Sequence, residues 1–322
     1  MSKIIRYGKK ALKKLLHPGG SKNAAVNAAP VVTRDQWPLE ERIEGAMSLF
    51  EQKQGYRFDI DHPVLFTEKV IWYKLFYDRK DLIRLVDKYL FKDYIAEHLG
   101  EGYTIPLLGV WDNIDSLEKD WDSLPEEFCL KSTLQSDGYF IKMVHEKSRI
   151  NFSDVKAEFV KWLRPEKTLI NSFCRAYYGA VPRIIAEEYK TEINDQLYDY
   201  KVFCFNGEPA YVYVATDHFP GQLSHISFYD LNWNRMDVQY GSHPNCDVEK
   251  PADFDEMIRI AKQLSADFPF IRVDFFDTQE KLYVAELTLY PGGGQTPIHP
   301  ESFNKELGDR FVLPEITDRS SL

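Results

Sequence analysis

The chain has 322 residues, of which 44% are hydrophobic and 28% are charged, so it can form a sizeable core and two or three lobes. A net charge of -10 argues against general nucleic-acid binding. The four cysteines lie far apart without a C-x-x-C pair, which predicts neither a zinc site nor a disulfide framework and is typical of the reducing cytoplasm. No apolar run approaches the roughly 20 residues that cross a bilayer.

The first 30 residues form a separate basic segment with no acidic residue. Apolar residues between the lysines follow helical spacing and predict a basic amphipathic helix over residues 3–16. Such a helix can bind an anionic membrane surface, although a solvated tail is an equal alternative. The Ala/Asn/Pro-rich residues 21–38 predict a linker.

Helices dominate the predicted structure from residue 39 to residue 99, with one over 40–54, one over 67–77 and one or two more after residue 80. Lys88 and Lys92 are four residues apart, which predicts that they share a helix face. A short strand over 105–110 and a loop over 111–125 are expected to follow.

The middle of the chain predicts two strands, 128–131 and 139–144, on either side of a loop of mostly small residues. Lys131 ends the first strand, so the loop over 132–138 could cover phosphates with its backbone N–H groups and this lysine. A helix over 153–163 and an apolar strand over 182–189 that ends in acids are predicted next.

Alternating residues predict a hairpin of strands 199–205 and 209–215, joined at Asn206-Gly207. Further along, an apolar stripe predicts a helix that begins near Phe254, with Asp253 and Glu256 as its capping pair.

A last hairpin, over residues 270–294, carries the most distinctive polar pattern. Arg272 and Asp274 share one face of its first strand, Glu286 and Thr288 share one face of its second, and Pro291-Gly292-Gly293-Gly294 ends it. Two carboxylates on facing strands suit magnesium. A simple hairpin closed by four residues would place Asp274 and Glu286 on opposite faces, so their convergence requires a β-bulge or an odd loop length.

The order of these features resembles the ATP-grasp superfamily, and residues of about 60–310 are similar to its TupA-like branch of amide ligases. The segments that carry the narrower resemblance are Phe66-Thr67-Glu68-Lys69, Val86-Asp87-Lys88-Tyr89, Ile105 to Val110, Asp199 to Gly207, Arg272-Val273-Asp274 and Glu286-Leu287-Thr288. The resemblance implies an α+β, ATP-grasp-like fold with a nucleotide cleft between two α+β lobes. The domains expected from it are a basic helix and linker (1–38), a helical region and small lobe (39–126), a central lobe (127–190) and a C-terminal lobe with the metal hairpin (191–322).

The same resemblance implies residue roles. Lys92 would reach the phosphates of ATP, and Lys131 would lie beside the nucleotide under the flap that contains Ser136 and Gly138. Glu187 would begin the adenine-binding segment, which Glu188 and Tyr189 continue. Lys201 would point at the transferred phosphate and Arg272 would stabilise the oxyanion. Asp274, Glu286 and Thr288 would surround Mg²⁺, Thr288 standing where related proteins often have asparagine.

ATP-dependent, ADP-forming ligation of a carboxylate to an amine is the activity that the resemblance implies, with a uronic acid of a cell-surface polysaccharide as the carboxylate. A glycosyltransferase that binds a nucleotide sugar on the same fold is an alternative, because the flap has one glycine and an acid, Asp137. A non-catalytic glycan-binding scaffold held to the membrane by residues 3–16 is another. The expected location is the cytoplasm, at the inner face of the plasma membrane if residues 3–16 bind lipid.

Overall fold

The computed structural model describes residues 38–134, 141–162, 174–177, 179–190, 198–216, 223–278 and 281–316. The predicted basic helix over residues 3–16 lies outside the described residues, as do Ser136 and Gly138 of the predicted flap. Within the described ranges, no helix is both long and apolar enough to span a membrane.

Eight α-helices lie within these ranges: α1 (Leu39–Gln54), α2 (Phe66–Phe76), α3 (Leu82–Val86), α4 (Leu90–Leu99), α5 (Ile114–Asp120), α6 (Phe152–Trp162), α7 (Phe254–Ser265) and α8 (Glu301–Arg310). The strands are β1 (Leu107–Trp111), β2 (Phe128–Ser132), β3 (Ile141–Val144), β4 (Ile184–Glu188), β5 (Asp199–Phe205), β6 (Glu208–Thr216), β7 (His225–Asp230), β8 (Gln239–Tyr240), β9 (Phe270–Asp277), β10 (Leu282–Thr288) and β11 (Ile298–His299).

The chain divides into two compact units, each assembled from separate stretches of sequence. Unit 1 contains Asp78–Tyr94, Ile105–Tyr189 and the segment that ends at Gly45. Unit 2 contains Ala46–Tyr77, Ile95–Thr104 and the chain from Lys190 onward.

Unit 1 is built on a four-stranded antiparallel sheet with the strand order β1-β4-β2-β3. Alternate residues of β2 and β4, among them Phe128, Leu130 and Ala186, point to one face and are fully buried. Val155 and Phe159 of α6, together with Ile114 and Leu117 of α5, pack into the same core. One face of this sheet is therefore covered by helices, and the predicted site residues Lys131 and Glu187 lie on the other.

Unit 2 is built on a five-stranded antiparallel sheet with the order β10-β9-β5-β6-β7. Asn206 and Gly207 both have positive φ, 51° and 80°, which is the backbone of a two-residue hairpin turn and confirms the predicted connection of β5 to β6. Helix α7 contacts β5, β6 and β9 through its apolar stripe, and the Sγ of Cys204 lies 3.9 Å from the carbonyl oxygen of Ala261. Even-numbered residues of β5 therefore face α7.

Two local predictions are wrong, those for residues 111–125 and for the cap of α7. Residues 111–125 contain helix α5, because the side chain of Asn113 accepts the N–H of Ser116 at 2.9 Å and caps its first turn. Lys88 stands directly before α4 and one turn before Lys92, because the Asp87 side chain caps the start of the helix by accepting the N–H groups of Tyr89 (2.8 Å) and Leu90 (3.1 Å). Asp253 makes no side-chain cap bond to α7, and the carboxylate of Glu256 is bonded by Arg259 instead.

Candidate functional site

The face of the unit 2 sheet that points away from α7 carries most of its predicted site residues. Strands β5 and β9 pair antiparallel, with Lys201 opposite Asp274 and Phe203 opposite Arg272. Residues that lie opposite each other in such a pair project from the same face. The alternation of β5 and β9 thus brings Lys201, Arg272 and Asp274 together.

Four charged side chains on this face form a network that we call the Asp274 cluster: Asp199, Lys201, Arg272 and Asp274. The Nε of Arg272 donates to Oδ1 of Asp274 at 2.7 Å, and its Nη2 donates to Oδ2 at 2.6 Å. The ammonium of Lys201 donates to Oδ2 of Asp274 at 2.9 Å and also pairs with Asp199. Asp274 is 1% exposed, and three charge-assisted hydrogen bonds from Arg272 and Lys201 compensate its burial.

The pKa values of Asp274 and Lys201 are both shifted in the direction that favours the charged form. Burial alone would raise the pKa of Asp274, but the charges of Arg272 and Lys201 outweigh it and hold the pKa below its ordinary value. Burial would lower the pKa of Lys201, yet Asp199 and Asp274 raise it above its ordinary value. The cluster is therefore a fixed array of charges at neutral pH.

A β-bulge settles the register of the second predicted metal ligand. Val284 pairs with Phe275, but Glu286 pairs with Asp274, so Ala285 is the extra residue in β10. The bulge places Glu286 and Thr288 on the same face as the Asp274 cluster. The hydroxyl oxygen of Thr288 accepts a hydrogen bond from Nη2 of Arg272 at 3.1 Å.

Asp274 and Glu286 are the carboxylates on this face that could hold a magnesium ion. No group of three or more His, Cys, Asp or Glu residues in the described ranges has the arrangement of a complete metal site. Magnesium commonly takes one or two protein carboxylates and completes its shell with substrate phosphates and water. The pair fits that pattern, since Asp274 is ionised and Glu286 makes no hydrogen bond or ion pair with the described residues.

The glycine turn Pro291–Gly294 follows β10, and its backbone requires glycine. Gly292, Gly293 and Gly294 have φ values of 55°, 61° and 73°. A Cβ at Gly292 would lie 2.7 Å from the hydroxyl oxygen of Tyr240, and one at Gly294 would lie 2.8 Å from the carbonyl oxygen of Thr67. The turn is thus packed closely against its neighbours in unit 2.

Unit 1 carries a second group of charges on the sheet face opposite its helices. Glu187 of β4 lies opposite Cys129 of β2, and Lys131 lies two residues further along β2 on the same face. Ile141 and Met143 of β3 pair with Lys131 and Cys129 and share this face. They are 39% and 45% exposed, so the face combines accessible apolar surface with charge.

Glu187, Lys92 and Lys131 form the ion-paired group that we call the Glu187 cluster. One carboxylate oxygen of Glu187 pairs with Lys92 and the other with Lys131. The ammonium of Lys92 also donates to the carbonyl oxygen of Ile105 at 2.6 Å. Burial would raise the pKa of Glu187, but the two lysines hold it below its ordinary value, whereas burial lowers the pKa of Lys92 despite Glu187.

The predicted adenine segment lies at the end of β4. The backbone N–H of Glu188 donates to the carbonyl oxygen of Pro106 at 3.0 Å, and the ring of Tyr189 packs edge-on against His145 with 4.8 Å between centroids. The predicted adenine segment thus begins at the Glu187 cluster and runs just past the end of β4 in unit 1.

A family model described as TupA-like ATPgrasp matches residues 68–312. The chain belongs to the TupA-like ATP-grasp family. This membership confirms the family and the α+β, ATP-grasp-like fold class that the sequence predicts. No curated protein matches the chain.

Solved structures that resemble this family member include the D-alanine–D-alanine ligase of Bacillus anthracis with ATP (16% identity, TM-score 0.42, covering 70% of this chain and 64% of that one). The corresponding ligase of Helicobacter pylori has 15% identity and a TM-score of 0.37, covering 71% and 61%. The ATP-grasp ligase PsnB, complexed with minimal precursor, Mg and ADP, has 9% identity and a TM-score of 0.34, covering 78% and 57%. The chain spans less than two thirds of each of these proteins, and its family membership rests on the family match alone.

Three residues of the unit 2 face were not predicted as site residues: Asp199, Tyr213 and Tyr240. Asp199 stands two residues before Lys201 in a predicted strand, so alternation alone could have placed it on the same face. The ring centroid of Tyr213 lies 5.5 Å from Cζ of Arg272 and 6.0 Å from Nζ of Lys201. Tyr240 packs 5.5 Å from Tyr213 between ring centroids.

Proposed function

We propose that the chain catalyses ATP-dependent, ADP-forming ligation of a carboxylate to an amine. The observation that carries this proposal is the Asp274 cluster with Glu286 on one sheet face of a TupA-like ATP-grasp protein. Phosphoryl transfer depends on fixed charges around the transferred group more than on a covalent catalyst. A buried array of two cations and two carboxylates is suited to that task.

The reaction proceeds in two displacements. A carboxylate oxygen of the substrate attacks the γ-phosphorus of ATP, the bond to the bridging oxygen of ADP breaks, and an acyl phosphate forms. The amine then attacks the acyl carbon, the carbon–oxygen bond to phosphate breaks, and the amine proton leaves to solvent as the amide forms. In this scheme Lys201 contacts the transferred phosphate and Arg272 stabilises the oxyanion of the tetrahedral intermediate.

Asp274 and Glu286, beside Thr288, would hold a magnesium ion, which would supply positive charge to the phosphate oxygens. The hydrogen bonds of Arg272 and Lys201 fix the orientation of the Asp274 carboxylate. Glu286, in contrast, makes no hydrogen bond or ion pair with the described residues, so its carboxylate is available to the ion.

The Glu187 cluster is the proposed nucleotide-binding part of unit 1. Lys92 and Lys131 contact phosphates, and the exposed side chains of Ile141 and Met143 offer an apolar surface for the adenine ring. Ser136 and Gly138 cover the phosphates in this scheme, and Glu188 and Tyr189 contact the adenine.

A uronic acid of a cell-surface polysaccharide is the proposed carboxylate, and an amino acid or amine is the proposed nucleophile. The family resemblance supports this substrate class. The protein would work at the inner face of the plasma membrane, held there by residues 3–16. Equal liposome binding by the full-length chain and by a chain that lacks residues 1–20 would contradict the membrane contact.

The glycosyltransferase remains a second candidate because residues 132–138 contain one glycine and an acid, which suits polyphosphate poorly. Thermal unfolding with ATP, UDP or UDP-sugars, each with Mg²⁺, separates the candidates. We expect ATP to raise the unfolding temperature. In a separate activity assay, we expect ADP to be released when a uronic acid and an amine are both present. Stabilisation by UDP or a UDP-sugar instead would favour the transferase, and no stabilisation by any nucleotide would favour the glycan-binding scaffold.

A further inference from the structure

Helix α2 buries a lysine that the proposed chemistry does not use. Lys74 is 4% exposed, and it makes no hydrogen bond or ion pair with any residue that the structure describes. The other lysine of the helix differs, since Nζ of Lys69 donates to the carbonyl oxygens of Gly308 (2.8 Å) and Phe311 (2.9 Å). An ammonium that is largely shielded from water and has no protein partner is unfavourable, so Lys74 requires an explanation beyond stability.

The helical spacing of α2 points Lys74 at the glycine turn. Thr67, Ile71 and Lys74 stand four and three residues apart and therefore lie on one helix face. A Cβ at Gly294 would lie 2.8 Å from the carbonyl oxygen of Thr67 and 3.1 Å from the side chain of Ile71. A Cβ at Gly293 would lie 3.7 Å from Nζ of Lys74. The ammonium thus lies beside backbone that carries no side chain.

The glycine turn connects Lys74 with the Asp274 cluster inside unit 2. At the other end of the turn, a Cβ at Gly292 would lie 2.7 Å from the hydroxyl oxygen of Tyr240. Tyr240 lies close enough to the cluster to feel its charges. Burial raises the pKa of Tyr240 above its ordinary value, and the charges of Arg272 and Lys201 offset part of that rise. Lys74 therefore lies near the chain segment that directly follows Glu286 and Thr288.

We propose that Lys74 binds a carboxylate of the substrate at the glycine turn. A single ammonium can balance the single negative charge of a carboxylate, which is the group that the proposed substrate provides. Gly293 is the position of the turn that faces the ammonium without a close neighbour, since a Cβ there would meet Nζ of Lys74 at 3.7 Å and no other atom within 4 Å. This inference rests on the proposed ligase function, because that function provides a carboxylate substrate.

The test compares thermal unfolding of the full-length wild-type protein and of Lys74→Met in chloride buffer, and then with sodium D-glucuronate, sodium phosphate or MgATP. In chloride we expect Lys74→Met to unfold at the same or a higher temperature than wild type, because methionine removes a buried charge that has no partner. D-glucuronate should stabilise wild type and leave Lys74→Met unshifted, whereas MgATP should stabilise both proteins equally. Lys69→Met is the matched control and should unfold at a lower temperature, since it loses two hydrogen bonds.

A lower unfolding temperature of Lys74→Met in chloride would overturn the proposal, because it would give Lys74 a structural role. The proposal would also be overturned if D-glucuronate shifted the unfolding temperature of both proteins equally or shifted neither. A shift of wild type by phosphate instead of D-glucuronate would overturn it as well. Failure of the proposed function has a different signature, since MgATP would then leave wild type unshifted while the glucuronate response still depended on Lys74.

Discussion

The Glu187 cluster of unit 1 and the Asp274 cluster of unit 2 are both buried groups of ion pairs on one face of a sheet, but their charge balance differs. In unit 1 two lysines share one carboxylate, so one positive charge has no counter-charge within the cluster. In unit 2 Lys201 and Arg272 are balanced by Asp199 and Asp274, and Glu286 adds a further negative charge beside them. The first balance favours a polyphosphate and the second favours a metal cation.

The largest effect should come from Asp274→Asn, which unbalances the unit 2 cluster. ADP formation should fall by about 10²-fold or more, because the fixed charges around the transferred phosphate are disturbed. Stability should fall by about 3–5 kcal/mol, because Arg272 and Lys201 remain buried without this carboxylate. Coupled ADP assays measure the loss of activity, and urea unfolding measures the loss of stability.

Asp255→Asn, which removes the exposed partner of Lys250, is the control and should change stability by less than about 1 kcal/mol. Near wild-type turnover in Asp274→Asn would exclude the proposed role.

A smaller effect is expected from Lys131→Met, which removes one of the two positive charges of the Glu187 cluster. ATP binding should weaken by roughly tenfold or more, since a hydrogen bond to a charged group contributes about 1.5–3 kcal/mol. Calorimetric titration with MgATP measures the change. Lys142→Met is the matched control, because Lys142 stands opposite Leu130 on the other sheet face and pairs with Glu158 at 2.7 Å. Equal weakening in both variants would contradict the assignment.

Glu286→Gln tests whether the negative charge of Glu286 beside the Asp274 cluster binds a metal ion. The Mg²⁺ concentration that half-activates ADP release should rise by roughly tenfold, equivalent to about 1.4 kcal/mol. Thermal stability without metal should change little, because Glu286 has no partner among the described residues that the variant would break. An unchanged magnesium requirement would count against Glu286 as a ligand.

The smallest predicted effect is that of acid pH on the stability that the two clusters contribute. The pKa of Glu187 is held below 4.5 and that of Asp274 below 3.8. A carboxyl with a depressed folded-state pKa contributes stability that is present above its unfolded pKa and is lost as pH falls through its folded pKa. The contribution of Glu187 should therefore persist down to about pH 4.5 and that of Asp274 down to about pH 3.8, and each should decline at lower pH. Urea unfolding between neutral and acid pH should show a shallower acid limb for Glu187→Gln than for wild type, and parallel limbs would refute this.

Much of the sheet structure could be predicted from the sequence. Asn206-Gly207 identified the turn between β5 and β6, because these residues accept positive φ, and the stripe of Phe254 and Met257 identified α7. The alternation of Arg272 and Asp274 placed both on one face of β9, as observed. These predictions depend on local backbone preferences, which neighbouring residues determine.

The cross-strand partners could not be predicted, because bulges change the register. Counting from the Asn206-Gly207 turn places Val212 opposite Lys201, but a bulge at Ala210 brings Tyr213 there. The bulge at Ala285 likewise moves Glu286 opposite Asp274. Pairings such as Glu187 with Lys92 join residues far apart in sequence and leave no local periodic signal.

The bulge at Ala285 also bears on how freely the neighbouring turn can vary in length. It lies between the turn that begins after Asp277 and the pair of Asp274 and Glu286, so the pairing of those acids is held by the ladder on their side of the bulge. Insertions in the turn at residues 278–281 should leave the two carboxylates facing each other. This connection is therefore a suitable place to insert a fluorescent label or a peptide tag close to the candidate site.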